Sequence, residues 1–200
     1  MSRRWRTALA GIRVLGKAGF ILLVTLFVLL VAGTLAGARF NLTRSLPVGL
    51  YWAVEQPIER KAYVRFCPPR EGAFALAMER GYLSDWGGEC PHGFPLIKRV
   101  AAIAGDSVEA SDANVRVNGD PLPLSRFHDT DGQGRPMPRP RRDRKQLRAS
   151  ELWVMSDTND RSFDSRYFGP IDRAWVKEVI TPVLTWGPGG MLSGRAPHSS

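Results

Sequence analysis

The sequence predicts a mostly β domain preceded by one membrane-spanning helix. Two observations carry this. One uncharged apolar run, Ala18 to Ala38, lies between Lys17 and Arg39. After it come many short alternating stretches separated by turn residues, with little helical periodicity. A chain of 200 residues has room for one domain plus an anchor.

The anchor comes first. At about 1.5 Å per residue, a run of about 21 residues spans about 31 Å, close to the hydrocarbon thickness of a bilayer. Arg3, Arg4, Arg6, Arg13 and Lys17 precede it, with no acidic residue among them. The positive-inside rule then makes residues 1–17 a cytoplasmic basic tail, 18–40 a transmembrane signal-anchor and 41–186 an exported domain. Arg39, Arg44, Arg60 and Lys61, on the other flank, weaken that bias. Ala36-Gly37-Ala38 has the small-x-small form of a cleavage site. The run exceeds the usual core of a cleaved signal peptide, which favours an uncleaved anchor. Either reading exports the rest of the chain.

Within the exported part, Pro47 to Val54 reads as a turn entering a strand, and Ala62 to Phe66 alternates as a second strand. Phe74 to Tyr82 holds helix formers and suits a short helix. Gly87 to Gly93 is loop. Leu96 to Ile103 is an apolar strand interrupted by two cations. Ser107 to Ala110 and Asn114 to Val117 are short strands, the second followed by the turn signal Asn118-Gly119. Residues 120–150, rich in Pro, Gly and Arg, read as an insertion. Glu151 to Met155 and Ala174 to Ile180 are further strands, and 187–200 reads as a disordered tail.

The net charge is +9. Much of it lies in the basic tail and in Arg135, Arg139, Arg141, Arg142, Arg144, Lys145 and Arg148. An exported domain rarely meets nucleic acid, so no nucleic-acid partner is expected. The 135–148 stretch reads as a solvated loop near anionic headgroups, with docking to a partner as the alternative. Cys67 and Cys90 are the only cysteines. In an oxidising compartment such a pair more often forms a disulfide than a metal site. His92 and His128 complete no closed four-ligand pattern with them, so no metal is expected.

Three segments contain chemistry. Thr43 to Tyr51 places Ser45 in a Pro/Gly-punctuated turn just after the apolar run. Lys98 lies in the apolar stretch Pro95 to Ile103, where strand alternation puts it on one side with Leu96 and Val100, and Arg99 on the other with Ile97 and Ala101. A core-facing lysine is costly while charged; burial lowers its pKa and makes a neutral amine that can serve a serine as general base. The alternative is a lysine snorkelling to water from a strand edge, and the pattern alone favours it. Asp157 to Ile171 is densely polar, equally compatible with a loop stitched by side-chain-to-backbone hydrogen bonds. A lone Ser-x-Pro is weak, since both residues are ordinary turn punctuation. His92, His128 and His198 each lack a convincing triad context.

Taken together and in order, the segments resemble the boxes of the type I signal peptidase (S26) family of Ser-Lys proteases. Lys98-Arg-Val-Ala-Ala-Ile-Ala-Gly105-Asp106-Ser-Val108 resembles its lysine box, and Ser162-Phe-Asp164-Ser165-Arg166 its Ser-x-Asp-Ser-Arg box. The housekeeping enzymes have Ser-Met-x-Pro-Thr at the nucleophile. Here Ser45-Leu-Pro47-Val-Gly49-Leu-Tyr51 has the proline one position closer, and resembles the conjugative-transfer TraF-type branch. Asp157-Thr-Asn-Asp departs from the usual Gly-Asp-Asn start of the third box.

The resemblance implies a signal-peptidase-like β domain with Ser45 as nucleophile and Lys98 as general base. Asp164 would belong to the catalytic set. Thr43 would supply an oxyanion hydroxyl beside the Ser45 N–H, Ser162 would orient Lys98, and Arg166 would pair with Asp164. It further implies a single-pass protein of the inner membrane with its domain in the periplasm. It would process a pilin or another membrane-inserted precursor at the lipid bilayer, by hydrolysis or by cyclisation, alongside components of a conjugative secretion apparatus. No cofactor is implied. Two other functions fit less well: a general signal peptidase for secretory proteins, and a non-catalytic anchored scaffold of a secretion or mating channel.

Overall fold

A computed structural model describes residues 3–139 and 144–186. Contacts divide the chain into residues 1–38 and 39–200. The first unit is a single helix, α1, Arg3–Leu35. Its segment Gly16–Leu35, 20 residues, is long and apolar enough to cross a membrane. The helix differs from the expected 18–40 span at both ends. It begins within the basic tail at Arg3 and stops at Leu35. Gly37 has φ of 112°, a conformation that residues with a Cβ rarely adopt, and Ala38–Asn41 leave as strand β1. The expected tail at 187–200 lies outside the described residues.

The second unit is mostly β. A seven-stranded sheet has the order β1-β2-β11-β3-β4-β9-β10. Its members after β1 are β2 Val48–Val54, β3 Tyr63–Phe66, β4 Leu96–Ala102, β9 Glu151–Met155, β10 Ile171–Asp172 and β11 Val176–Trp186. A four-stranded sheet, order β7-β6-β5-β8, is built from β5 Ser107–Ala110, β6 Val115–Val117, β7 Asp120–Pro121 and β8 Lys145–Gln146. Helices α2 Gly72–Glu79 and α3 Ser165–Phe168 complete it.

Alternation decides where the cores lie. In β4, Lys98, Val100 and Ala102 are buried while their neighbours are half-exposed. Strand β9 is buried along its whole length because both faces are covered. Leu152 and Val154 join Val64, Phe66, Phe74, Val100, Ile171 and Val179 in one core; Trp153 and Met155 join Ala102, Val108, Val115 and Leu147 in the other. Each buried Val, Leu, Ile, Phe or Met among them stabilises the fold by about 1.5–3 kcal/mol relative to exposure. Phe74 of α2 closes the first core against Phe66, Phe163, Phe168 and Trp175.

The stretch 120–150 is woven into the domain more tightly than a solvated insertion. It supplies two short strands and buries Leu147 and Ser125. The described cations of its 135–148 run are tied down: Arg135 to Asp131 at 2.6 Å, Arg139 to Asp112 at 2.8 Å and also to Asp129, Lys145 and Arg148 to Glu151 at 2.7 and 2.8 Å. Arg144 donates to the Ser107 hydroxyl at 2.8 Å. Arg141 and Arg142 lie outside the described residues. Asp112 is distant in sequence and Glu151 is hidden in strand β9, which is why much of the run looks free on paper.

Cys67 and Cys90 form a disulfide, 23 residues apart in sequence. Beside it, Glu89 accepts from Arg65 and Lys177, and Glu178 accepts from Arg65 and Arg39. The bridge and this ion network hold the 84–94 loop to the end of the large sheet.

Candidate active site

The nucleophile candidate lies in the turn joining β1 to β2. Leu46 is buried and pins the turn to the domain, while Pro47 restricts its backbone. Tyr51 then reaches back, its hydroxyl donating to the Pro47 carbonyl at 2.7 Å. Gly49 follows with φ of 154°, and a Cβ there would lie 2.1 Å from the Leu184 carbonyl oxygen. Only glycine lets β11 approach the end of this turn so closely.

Lys98 faces inward from β4, opposite Val64 of β3. It is 2% exposed, so it does not snorkel to water. Its Nζ lies 2.6 Å from the Ser162 hydroxyl oxygen. Ser162 in turn donates to Ser45 Oγ at 3.3 Å. Three residues from distant parts of the chain therefore form one continuous line, Lys98–Ser162–Ser45. Burial pushes the Lys98 amine down to about 8; the nearby Asp164 carboxylate opposes this, and the Arg166 cation adds to it.

Asp164 and Arg166 are both 0% exposed. The guanidinium grips the carboxylate through Nε at 2.8 Å and Nη2 at 2.9 Å. Its remaining donors go to carbonyls of Ser162 at 3.1 Å, Leu124 at 3.1 Å, Arg126 at 2.9 Å, and Asp160. A buried ion pair costs desolvation unless such bonds satisfy it, and here they do. The pair therefore holds the third segment in shape and fastens the 120–150 stretch to it. His128 adds a contact, with Nε2 3.0 Å from Asp160 Oδ2. Asp164 makes no hydrogen bond to Lys98 or Ser45. Its other bonds are from the Arg166 amide at 3.2 Å, as helix cap for α3, and from the Ser156 amide at 3.2 Å.

Thr43 is exposed beside Ser45, as an oxyanion donor must be. Its hydroxyl proton is directed to Asn41 Oδ1 at 2.8 Å, so it must turn to meet a substrate oxygen. The Ser45 N–H has no hydrogen-bond acceptor among the described residues. Asp157 turns away from Lys98 and Ser45, accepting from Tyr63 at 2.8 Å and Arg99 at 3.1 Å.

Two residues at the site were not singled out from sequence, Asn41 and Ser156. Asn41 had one legible cue, an Asn two positions before a Thr in a turn, the spacing of a side-chain-capped bend. Ser156 had none; it looks like any polar residue at a strand end.

Comparison with known proteins gives the family. A plasmid transfer protein TraF of Escherichia coli is 52% identical over 162 residues, covering 79% of this chain and 90% of the relative. A second Escherichia coli TraF is 46% identical over 187 residues, covering 93% of this chain and all of the relative. A probable conjugal transfer protein TraF of Sinorhizobium fredii is 40% identical over 160 residues, covering 78% of this chain and 82% of the relative. The crystal structure of a signal peptidase I from Enterococcus faecalis aligns with a TM-score of 0.38 at 21% identity, over 64% of this chain and all of that one, too loosely to support an argument. Residues 12–183 match the family described as "Signal peptidase, peptidase S26", and with these relatives the chain belongs to that family.

Proposed function

We propose that the protein is a membrane-anchored serine endopeptidase with Ser45 as nucleophile and Lys98 as general base, processing an exported precursor, a conjugative pilin subunit. One observation supports this above the rest. A fully buried lysine amine, with its pKa lowered to about 8, sits 2.6 Å from a serine that contacts the Ser45 hydroxyl. A structural lysine has no reason to occupy that position.

When Lys98 is neutral, the hydrogen-bond line can reverse. Ser45 donates to Ser162, and Ser162 donates to the lysine lone pair. As Ser45 Oγ attacks the scissile carbonyl, its proton passes along this line to Lys98. The oxyanion is met by the Ser45 N–H and, once it turns from Asn41, by the Thr43 hydroxyl. Lys98 then returns the proton to the leaving amine, and an acyl-enzyme remains. Water releases it as an acid, or the substrate's own N-terminal amine, if held near, closes a cycle. Asp164 and Arg166 shape the loop that carries Ser162.

The basic residues 3–17 favour an orientation with the N-terminus in the cytoplasm and the domain in the periplasm. Ser45 follows the last helical residue, Leu35, by only ten positions, which suits a cleavage site at the bilayer surface. The ion pairs within the 120–150 stretch argue against an anchored scaffold that docks through free arginines. The test is cleavage of a pilin precursor and of an unrelated secretory precursor by the purified full-length protein. Cleavage of the first alone, lost in Ser45→Ala and Lys98→Met, is expected, with a rate rising through pH 8. Mass spectrometry of the product, with or without loss of one water, separates hydrolysis from cyclisation. Cleavage by Ser45→Ala at the wild-type rate refutes the proposal, and equal cleavage of both precursors refutes the narrow specificity.

A further inference from the structure

The carbonyls of the nucleophile turn show an unusual pattern. All five, from Thr43 to Pro47, are held by side chains. The two N–H bonds of Asn41 Nδ2 are shared among Thr43 O at 3.1 Å, Leu46 O at 3.2 Å and Pro47 O at 3.1 Å. Thr158 Oγ1 donates to Arg44 O at 3.4 Å, and Ser156 Oγ to Ser45 O at 2.5 Å. Asn41 also accepts from the Thr43 amide at 3.0 Å and the Thr43 hydroxyl at 2.8 Å, so both ends of its amide serve this turn. Asn41 is 1% exposed and Ser156 3%.

In a trans peptide, the carbonyl of one residue and the N–H of the next point in opposite directions. Holding the carbonyls of Thr43 and Arg44 against the domain therefore turns the N–H groups of Arg44 and Ser45 away from it. Neither has an acceptor among the described residues, while the Leu46 N–H closes the turn toward the Thr43 carbonyl. Ser156 is itself fixed on several sides. Its amide donates to Asp164, and its hydroxyl oxygen accepts from the Asn159 amide at 3.0 Å. The buried Asp164–Arg166 pair thus reaches the nucleophile through Ser156, without touching Lys98.

We infer that Asn41 and Ser156 are positioning residues that clamp the turn from two sides and aim its free amides at the reacting carbonyl. This rests on the reading of Ser45 as nucleophile. Neither side chain touches the substrate; each acts through the backbone of residues 43–47. Misplacing an oxyanion donor by about 1 Å costs on the order of 100-fold in rate.

The test is phosphonylation of the full-length protein in detergent by a fluorophosphonate probe. Here the Ser45 oxygen–phosphorus bond forms, fluoride leaves, and the proton goes to Lys98. The rate is followed against pH, with melting temperature measured on the same samples. Asn41→Ala and Ser156→Ala are each expected to lower the plateau on the order of 100-fold, with the inflection that reports Lys98 unmoved. Ser156→Thr, which keeps the hydroxyl, is expected to recover most of the rate. A purely structural role predicts lower melting temperatures with an unchanged plateau for the folded protein, and that result overturns the inference. If Asn41→Ala does not fold, Ser156→Ala decides alone, because losing one hydroxyl leaves the packing in place. The control is Ser45→Ala. Undiminished labelling of that variant, or none of the wild type, refutes the nucleophile reading and this inference with it. Labelling lost in Ser45→Ala but unchanged in both clamp variants refutes the clamp only.

Discussion

Replacing Lys98 with methionine should abolish activity and yet stabilise the protein at neutral pH. The folded amine titrates at about 8, against an ordinary 10.5. At about 1.4 kcal/mol per pH unit, that gap is about 3 kcal/mol of cost for holding the ammonium in the domain. Methionine fills a similar volume without charge, and forfeits the hydrogen bond to Ser162, worth about 1 kcal/mol. The net gain is about 2 kcal/mol at pH 7, or about 4–8 °C in melting temperature for a domain of this size. Its pH dependence is the stronger test. Below pH 8 both folded and unfolded lysines are charged, and the wild type carries the whole cost. Between about 8 and 10.5 the unfolded chain holds more protons than the folded one, so wild-type stability rises with pH and the advantage of the variant shrinks. Above that window only the lost hydrogen bond remains, and the wild type should be the more stable by about 1 kcal/mol. Melting curves of both proteins in detergent at pH 6.5, 8.5 and 10.5 therefore cross. A variant less stable than wild type by the same amount at all three refutes the account of Lys98 as a desolvated amine.

Three further outcomes follow from the packing. Asp164→Asn leaves the Arg166 cation buried without its anion, and should cost about 3–5 kcal/mol in denaturant unfolding; a loss under 1 kcal/mol contradicts the description of this pair. Gly49→Ala puts a methyl group into the Leu184 carbonyl, so β2 and β11 must separate locally. A destabilisation of about 1–3 kcal/mol is expected, with faster amide exchange at Leu184 and Thr185 as the local sign. Opening the Cys67–Cys90 bridge by Cys→Ser substitution at both positions releases a loop 23 residues long and should cost about 3 kcal/mol; an unchanged unfolding midpoint shows that the bridge adds nothing.

What the sequence made legible was local and periodic. The inward direction of Lys98 came from alternation, and its neighbours Val100 and Ala102 are indeed buried. The strands at 48–54, 63–66 and 151–155 lay where turn residues and β-branched side chains put them. Strand β1 was hidden because Ala38 continues an apolar run, and only the reversal at Gly37 ends the helix. Helix α3 is too short to show a period. The depth of Lys98 was not legible, since a snorkelling lysine has the same pattern; burial came from strands β3 and β9 closing on both sides. Nor could the clamp be read. Asn41 and Ser156 meet the same turn from positions over a hundred residues apart, and that meeting is a property of the sheet order.

That order has a consequence for when Ser45 and Lys98 can meet. Ser45 follows β1 and leads into β2, and within the large sheet β2 is joined to the strand carrying Lys98 only through β11 and β3. Strand β11 is the last in the described chain. Ser45 and Lys98 are thus borne on two pieces that the sheet unites only after its final strand has entered the middle. Pairings so distant in sequence form late. A chain still being made therefore carries Ser45 and Lys98 apart, and on the proposed function peptidase activity should arise only once residues 176–186 have been delivered.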